Sequence, residues 1–293
     1  MSTSEQGDSD PQSDAVDQHP QPPRTGPDLF EWGAKTYVMG VLNITPDSFS
    51  GDGLGTDIER TLIQAREFVA SGADLLDIGG ESTRPPKVYE GAEPIGADEE
   101  LERVIPIIER LSAELDVPLS IDTRKASVAR AAVNAGAAIV NDVTMLGYDE
   151  EMAATVGELG APVVISHIRE KAQYADVVGE VITDLIATVH RAESAGVSRD
   201  SIILDPGIGF GKTAEHSLTV LRNLAELTNL GFPVLVGTSR KSSIGAVLDL
   251  PVDDRVEGTA ATVALAIACG ADMVRVHDVK EMARVAKMSD AIV

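Results

Sequence analysis

Short apolar runs alternate with amphipathic stretches along this chain, and eight of the runs stop on a polar or charged residue or segment. The stops fall at Asn43, Asp77, Asp122, Asn141, Ser166 with His167, Asp205, segment 237–241 and segment 275–277. Branched and aliphatic residues gathered between turn signals predict strands at 37–43, 74–79, 117–122, 138–141, 162–166, 201–205, 233–237 and 272–277. These runs lack the simple alternation of a half-exposed strand, as expected of a parallel sheet covered on both faces. Helical patterns at 58–71, 98–115, 125–135, 150–159, 177–195, 214–230, 255–268 and 279–291 follow them in turn. Several end on a glycine before the next strand (Gly72, Gly136, Gly160, Gly196, Gly231 and Gly270), the left-handed cap of short helix-to-strand loops.

Eight strand-helix units predict an α/β fold, a (β/α)8 TIM barrel, in which all strand ends open onto one chemical face. A doubly wound open sheet is the alternative. Asn43-Ile44-Thr45-Pro46-Asp47 follows the first strand in place of a glycine-rich dinucleotide fingerprint, which weighs against that alternative.

Residues 1–28 do not fit the rhythm: they are rich in Ser, Asp, Gln and Pro, carry six acids against Arg24 alone, and contain no apolar stretch. They are expected to be a disordered tail, with one barrel domain over 29–293. They also lack the basic start and apolar centre of a secretory signal. The longest apolar stretch, around 260–269, is too short to cross a bilayer.

Acidic residues outnumber Lys plus Arg by 47 to 24, a formal charge of -23, which opposes general binding to nucleic acid or an anionic membrane. An anionic ligand would then need a local cluster of positive charge. The lone Cys269 leaves no disulfide framework, fits a reducing cytoplasm, and is expected to pack in the core.

The strand ends supply two sets of polar residues. Arg84, Arg275, His277 and Asn43 resemble a phosphate or diphosphate cradle, with Arg275 and His277 on one side of their strand by its two-residue period. A divalent cation, Mg²⁺ by preference, is expected to share that charge. Asp122, Asn141, Asp205 and Lys241 come from four other strand ends and would suit a flat heterocycle bearing several N–H groups. A salt-bridged plug that only stabilises the barrel remains the alternative. The long loops after the first two strands read as lids. His167 reads equally as a site residue or a barrel-end histidine. Pro206-Gly207-Ile208-Gly209-Phe210-Gly211-Lys212-Thr213 superficially resembles a Walker A loop, but Pro206 stands where its leading glycine belongs. The five histidines lack the spacing of a structural zinc site.

Several longer motifs occur in order at these strand ends. They are Met39-Gly40-Val41-Leu42-Asn43-Ile44-Thr45-Pro46-Asp47-Ser48-Phe49-Ser50, Asp77-Ile78-Gly79-Gly80-Glu81-Ser82-Thr83-Arg84-Pro85, Ile121-Asp122-Thr123 and Asn141-Asp142. Asp205-Pro206-Gly207-Ile208-Gly209-Phe210-Gly211-Lys212, Ser239-Arg240-Lys241-Ser242 and Arg275-Val276-His277-Asp278 continue the series. Together they resemble the bacterial dihydropteroate synthases, from about Tyr37 onward.

The resemblance implies condensation of 6-hydroxymethyl-7,8-dihydropterin diphosphate with p-aminobenzoate, giving 7,8-dihydropteroate and diphosphate in folate synthesis. It implies that Asp122, Asn141, Asp205 and Lys241 bind the pterin, with Phe210 near it. Asn43, Arg84, Arg275 and His277 would hold the diphosphate with Mg²⁺. Thr83, Ser242, Pro46 and Phe49 would shape the p-aminobenzoate pocket, the target of sulfonamides. Asp122, Lys241 and Asn43 would take part in the chemistry, and a cytoplasmic homodimer is usual for the family. Two places depart from the pattern. Ser166-His167-Ile168-Arg169-Glu170-Lys171 stands where the family usually has Met-His-Met and a longer loop, and Ser243 stands where Phe or Met is frequent. These departures keep a catalytically silent pterin-binding paralogue open. A methyltetrahydrofolate-corrinoid methyltransferase shares part of the pterin pocket but would not need the anion cradle.

Overall fold

A computed structural model describes residues 29–44, 54–81 and 94–293, without the side chains of 54–57. The expected tail at 1–28 and the candidate residues Pro46, Phe49, Thr83 and Arg84 lie outside the described residues.

Eight parallel strands lie in the order β6-β5-β4-β3-β2-β1-β8-β7. They are β1 Tyr37–Asn43, β2 Leu75–Gly79, β3 Leu119–Asp122, β4 Ile139–Asp142, β5 Val163–Ser166, β6 Ile202–Asp205, β7 Leu235–Val236 and β8 Met273–Val276. A parallel bridge from Leu204 to Val234 joins β6 to the run entering β7 and closes the barrel. Ten α-helices occur among the described residues: α1 Leu54–Ser71, α2 Ala97–Glu114, α3 Ala126–Asn134, α4 Met152–Leu159, α5 Val177–Ser194, α6 Ala214–Arg222, α7 Leu224–Thr228, α8 Ser242–Leu248, α9 Val256–Ala268 and α10 Val279–Asp290. None is long and apolar enough to cross a membrane.

The predicted helix over 214–230 is two helices. Asn223, whose amide donates to Thr219 O at 2.8 Å, breaks the run between α6 and α7. Helix α8 is absent from the sequence expectation because its seven residues are too few to establish a helical period. The six inter-element glycines all adopt positive φ, between 62° at Gly160 and 119° at Gly136.

Strand alternation divides the residues into two layers. Leu76, Ile78, Ile121, Val140, Ile165 and Leu204 face the helices and join the larger apolar core. Met39, Leu75, Ile139, Val164, Ile203, Leu235 and Met273 fill the barrel's interior. Phe30 packs beneath them, its ring 4.7 Å from Trp32 and 4.8 Å from Tyr37. Two residues further along, five of these inward positions turn polar, at Asp77, Asn141, Ser166, Asp205 and Arg275, and Asp122 joins them on β3 above the buried Ser120. The barrel is therefore greasy at its base and charged at its mouth, and in five of the strands the change falls between successive inward residues.

Candidate active site

Register puts the inward polar residues beside one another. Gly79 pairs with Asp122, Asp122 with Asn141, and Ser166 with Asp205. Asp122 and Asn141 are 4% and 1% exposed, so their polar atoms are removed from bulk water. Arg275 spans the mouth: Nε donates to Asp77 Oδ2 at 2.6 Å and Nη2 to Asp122 Oδ2 at 2.7 Å. Asn141 Nδ2 donates to the same Asp77 oxygen at 3.0 Å. The sequence reading groups Arg275 with a cationic rim apart from the carboxylates; in the fold it is bonded to them, so the two polar sets are continuous.

Asp77 Oδ1, Asp122 Oδ1 and Asn141 Oδ1 have no hydrogen-bond partner among the described residues. Buried acceptors of this kind cost free energy unless donors reach them, and a cluster of three calls for a ligand rich in N–H groups. Burial pushes the Asp122 carboxyl up to about 7; Arg275 opposes that rise, while the charges of Asp77, Glu100 and Asp142 add to it. Burial also raises the Asp205 carboxyl against the pull of the Gly207 and Ser166 hydrogen bonds and the Lys241 and Lys212 charges.

Lys241 precedes α8, and the backbone presenting it is tightly held. Arg240 has a left-handed φ of 57°, a strained conformation for a side-chain-bearing residue. Its guanidinium grips Asp278 through Nε and Nη2, and its N–H donates to Thr259 Oγ1 at 3.2 Å. Arg255 Nη1 donates to the carbonyls of Arg240 and Lys241. The Lys241 ammonium lies 4.2 Å from the centroid of the Phe210 ring, a cation–π pairing that forms one wall of the site. Ser242 is exposed at the first turn of α8. His277 packs against Ser239, whose hydroxyl lies 3.0 Å from Nδ1. Asn43 is exposed at the end of β1, and an added Cβ at Gly79 would lie 3.8 Å from both its Oδ1 and Asp122 Oδ2.

His167 faces away from the barrel interior. Its Nε2 is 3.1 Å from Asp184 Oδ2 on α5, and its Nδ1 accepts from Lys212 Nζ at 2.7 Å. Burial and the neighbouring Lys212 charge lower it to about 4, so it is a neutral barrel-end histidine. Lys212 also donates to the carbonyls of Gly207 and Phe210, which clamps the turn that the Walker-like spelling disguised.

The sequence reading assigned no role to Asp77, Ser166 or Lys212. Period-two counting from Leu75 would have aimed Asp77 inward with Gly79. The partner of Lys212 is 45 residues away, and local sequence carries no sign of it.

The fold and mouth define a TIM-barrel enzyme with buried acceptors at its strand ends. The pterin binding enzyme family matches residues 39–277. The chain is 50% identical over 268 residues to the dihydropteroate synthase of Bacillus subtilis, covering 92% of each. It is also 50% identical to that of Synechocystis, covering 94% of this chain and 96% of the relative. It superposes with a TM-score of 0.86 on the crystal structure of the Clostridium difficile dihydropteroate synthase in the presence of pteroic acid, at 47% identity over 90% of this chain and 98% of that one. The chain belongs to the dihydropteroate synthases, transferases of the pterin-binding family.

Proposed function

We propose that the barrel mouth binds the pterin diphosphate through the buried acceptors and condenses it with p-aminobenzoate, releasing diphosphate and forming 7,8-dihydropteroate. The three unpartnered acceptor atoms of Asp77, Asp122 and Asn141 carry this reading, because a reduced pterin offers ring N–H and amino donors in one plane. Asp205 and Lys241 complete the edge, and Phe210 lies against the Lys241 ammonium.

Arg275 and His277 face the diphosphate, joined by Arg84 from the loop after β2. Thr83, Ser242, Pro46 and Phe49 border the arylamine. No group of three His, Cys, Asp or Glu able to hold a metal occurs among the described residues. Mg²⁺ takes most of its oxygens from water and substrate phosphates and needs few from protein. Asn43, exposed at the end of β1, would be its protein ligand through the amide oxygen, and the ion when bound would neutralise charge on the leaving diphosphate.

As the carbon–oxygen bond to diphosphate breaks, the pterin methylene becomes electron-poor. A charged Asp122 stabilises that developing cation, and Arg275 stabilises the departing anion. The p-aminobenzoate amine supplies the electron pair for the new carbon–nitrogen bond and then loses a proton to solvent. The protein forms no covalent bond to substrate. Its setting is the cytoplasm and its assembly a homodimer.

Purified protein mixed with the pterin diphosphate, p-aminobenzoate and Mg²⁺ should yield dihydropteroate, and chelation should suppress the yield. Tight pterin binding with no product would favour the silent paralogue and overturn the catalytic reading.

A further inference from the structure

At the fifth strand end, Ser166 is fully buried and inward-facing, directly above Val164 of the apolar interior layer. A hydroxyl there needs a partner, and its Oγ donates to Asp205 Oδ2 at 2.8 Å. The other Asp205 oxygen accepts the Gly207 N–H, also at 2.8 Å. One donor comes from each side of the β5–β6 pair, so the plane of the carboxylate is fixed. Gly207 cannot drift away from this arrangement, because it is packed on the His167 backbone more closely than any Cβ would permit.

We propose that Ser166 is a positioning residue of the pterin subsite, its hydroxyl holding the Asp205 carboxylate in the orientation that receives the ring N–H donors. The inference rests on the pterin-site reading and adds to it a determinant of pterin affinity. Ser166 acts on ligand binding through Asp205. Losing the hydroxyl weakens the pterin end of the site and leaves the arylamine end alone. The charged groups facing Asp205 are Lys241 ahead of α8, Lys212 after β6 and Arg275 on β8. With those unchanged, removal of the hydroxyl also shifts the protonation of Asp205 to higher pH.

The test titrates 6-hydroxymethylpterin calorimetrically into full-length protein across pH 5.5 to 8.5, with KM measured separately for each substrate. Ser166→Ala should raise the pterin Kd about tenfold, the loss expected for a hydrogen bond to a charged acceptor. It should leave KM for p-aminobenzoate within about twofold and move the acid limb of pterin binding to higher pH. Ser166→Thr, which keeps the hydroxyl, should bind like the parent. An unchanged Kd in Ser166→Ala, equal losses for both substrates, or a Ser166→Thr variant as weak as alanine would overturn the inference. Asp205→Asn separates the two levels. If it binds the pterin like the parent, the pterin-site reading itself fails; if it binds weakly while Ser166→Ala does not, only the role of Ser166 fails.

Discussion

The Arg275 guanidinium donates to Asp122 at 2.7 Å, and this bond joins the group proposed to face diphosphate to the carboxylate proposed to face the pterin. Because Arg275 also holds Asp77, its removal strands two buried carboxylates at once. Breaking a buried pair by deleting one partner typically costs about 3–5 kcal/mol. Arg275→Met should therefore lower the chemical-denaturation midpoint as well as abolish turnover. A variant that lost activity with unchanged stability would show that the ion pairs do little for the barrel.

The Asp122 carboxyl, pushed up to about 7 by burial, gives the reaction an acid limb. Stabilising a cationic methylene requires the charged form, so kcat/KM should climb as pH rises through about 7 and then level off. Stability runs the other way. Between the ordinary carboxyl value of 3.8 and about 7 the folded protein holds a proton that the unfolded chain has released, so this group's contribution to stability falls as pH rises across that window. Asp122→Asn should accordingly lose nearly all turnover while unfolding no more easily than the parent at pH 8. Paired pH-rate profiles and denaturation curves at pH 5 and pH 8 check both signs.

The order of the elements was legible because most strands and helices carry their own period, and the strand bounds expected from 37–43 through 272–277 lie within a few residues of those observed. Helix α8 and the break at Asn223 escaped because neither leaves a periodic trace. Asp122, Asn141 and Asp205 could be picked out because a polar residue ending an apolar run is conspicuous. The bonds among them could not, since Asp77 meets Arg275 across 198 residues and Ser166 meets Asp205 across a strand pair. His167 was ambiguous because its side depends on where the strand's alternation starts, and a one-residue shift exchanges barrel interior for helix layer.

Just past the ends of β2 and β3, Lys125 bridges Glu81 and Glu100 while the Arg124 guanidinium adds a second grip on Glu81. Burial alone would raise the Glu81 carboxyl, but the hydrogen bonds from Arg124 and Lys125 win and hold it below the usual range. Lys125→Met leaves Glu100 buried without its cation and should destabilise the protein by about 3–5 kcal/mol. Adding Glu100→Gln to Lys125→Met removes the stranded charge and should recover part of that loss, a coupling that a double-mutant cycle in denaturant would read directly. Strict additivity would mean the two side chains do not depend on one another.

The turn after β6 makes the most demanding use of backbone in the site. Gly207 adopts φ +64°, and a Cβ placed on it would sit 1.8 Å from the His167 carbonyl oxygen. Conformation and space exclude a side chain together, and no flexible group is available to yield because the obstruction is main chain. Gly207→Ala must push β5 and β6 apart at their ends, which breaks the Gly207 N–H bond to Asp205 and the Lys212 bond to the Gly207 carbonyl. The expected outcome is a destabilised protein with weakened pterin binding even where it still folds. Gly160→Ala is the control: its φ is nearly the same, +62°, but nothing lies within 4 Å of the added Cβ, so only conformational strain of roughly 1–2 kcal/mol applies. Comparable thermal midpoints for the two variants would mean that the close approach to His167 carries no cost, and the clamped turn would lose its place in the site.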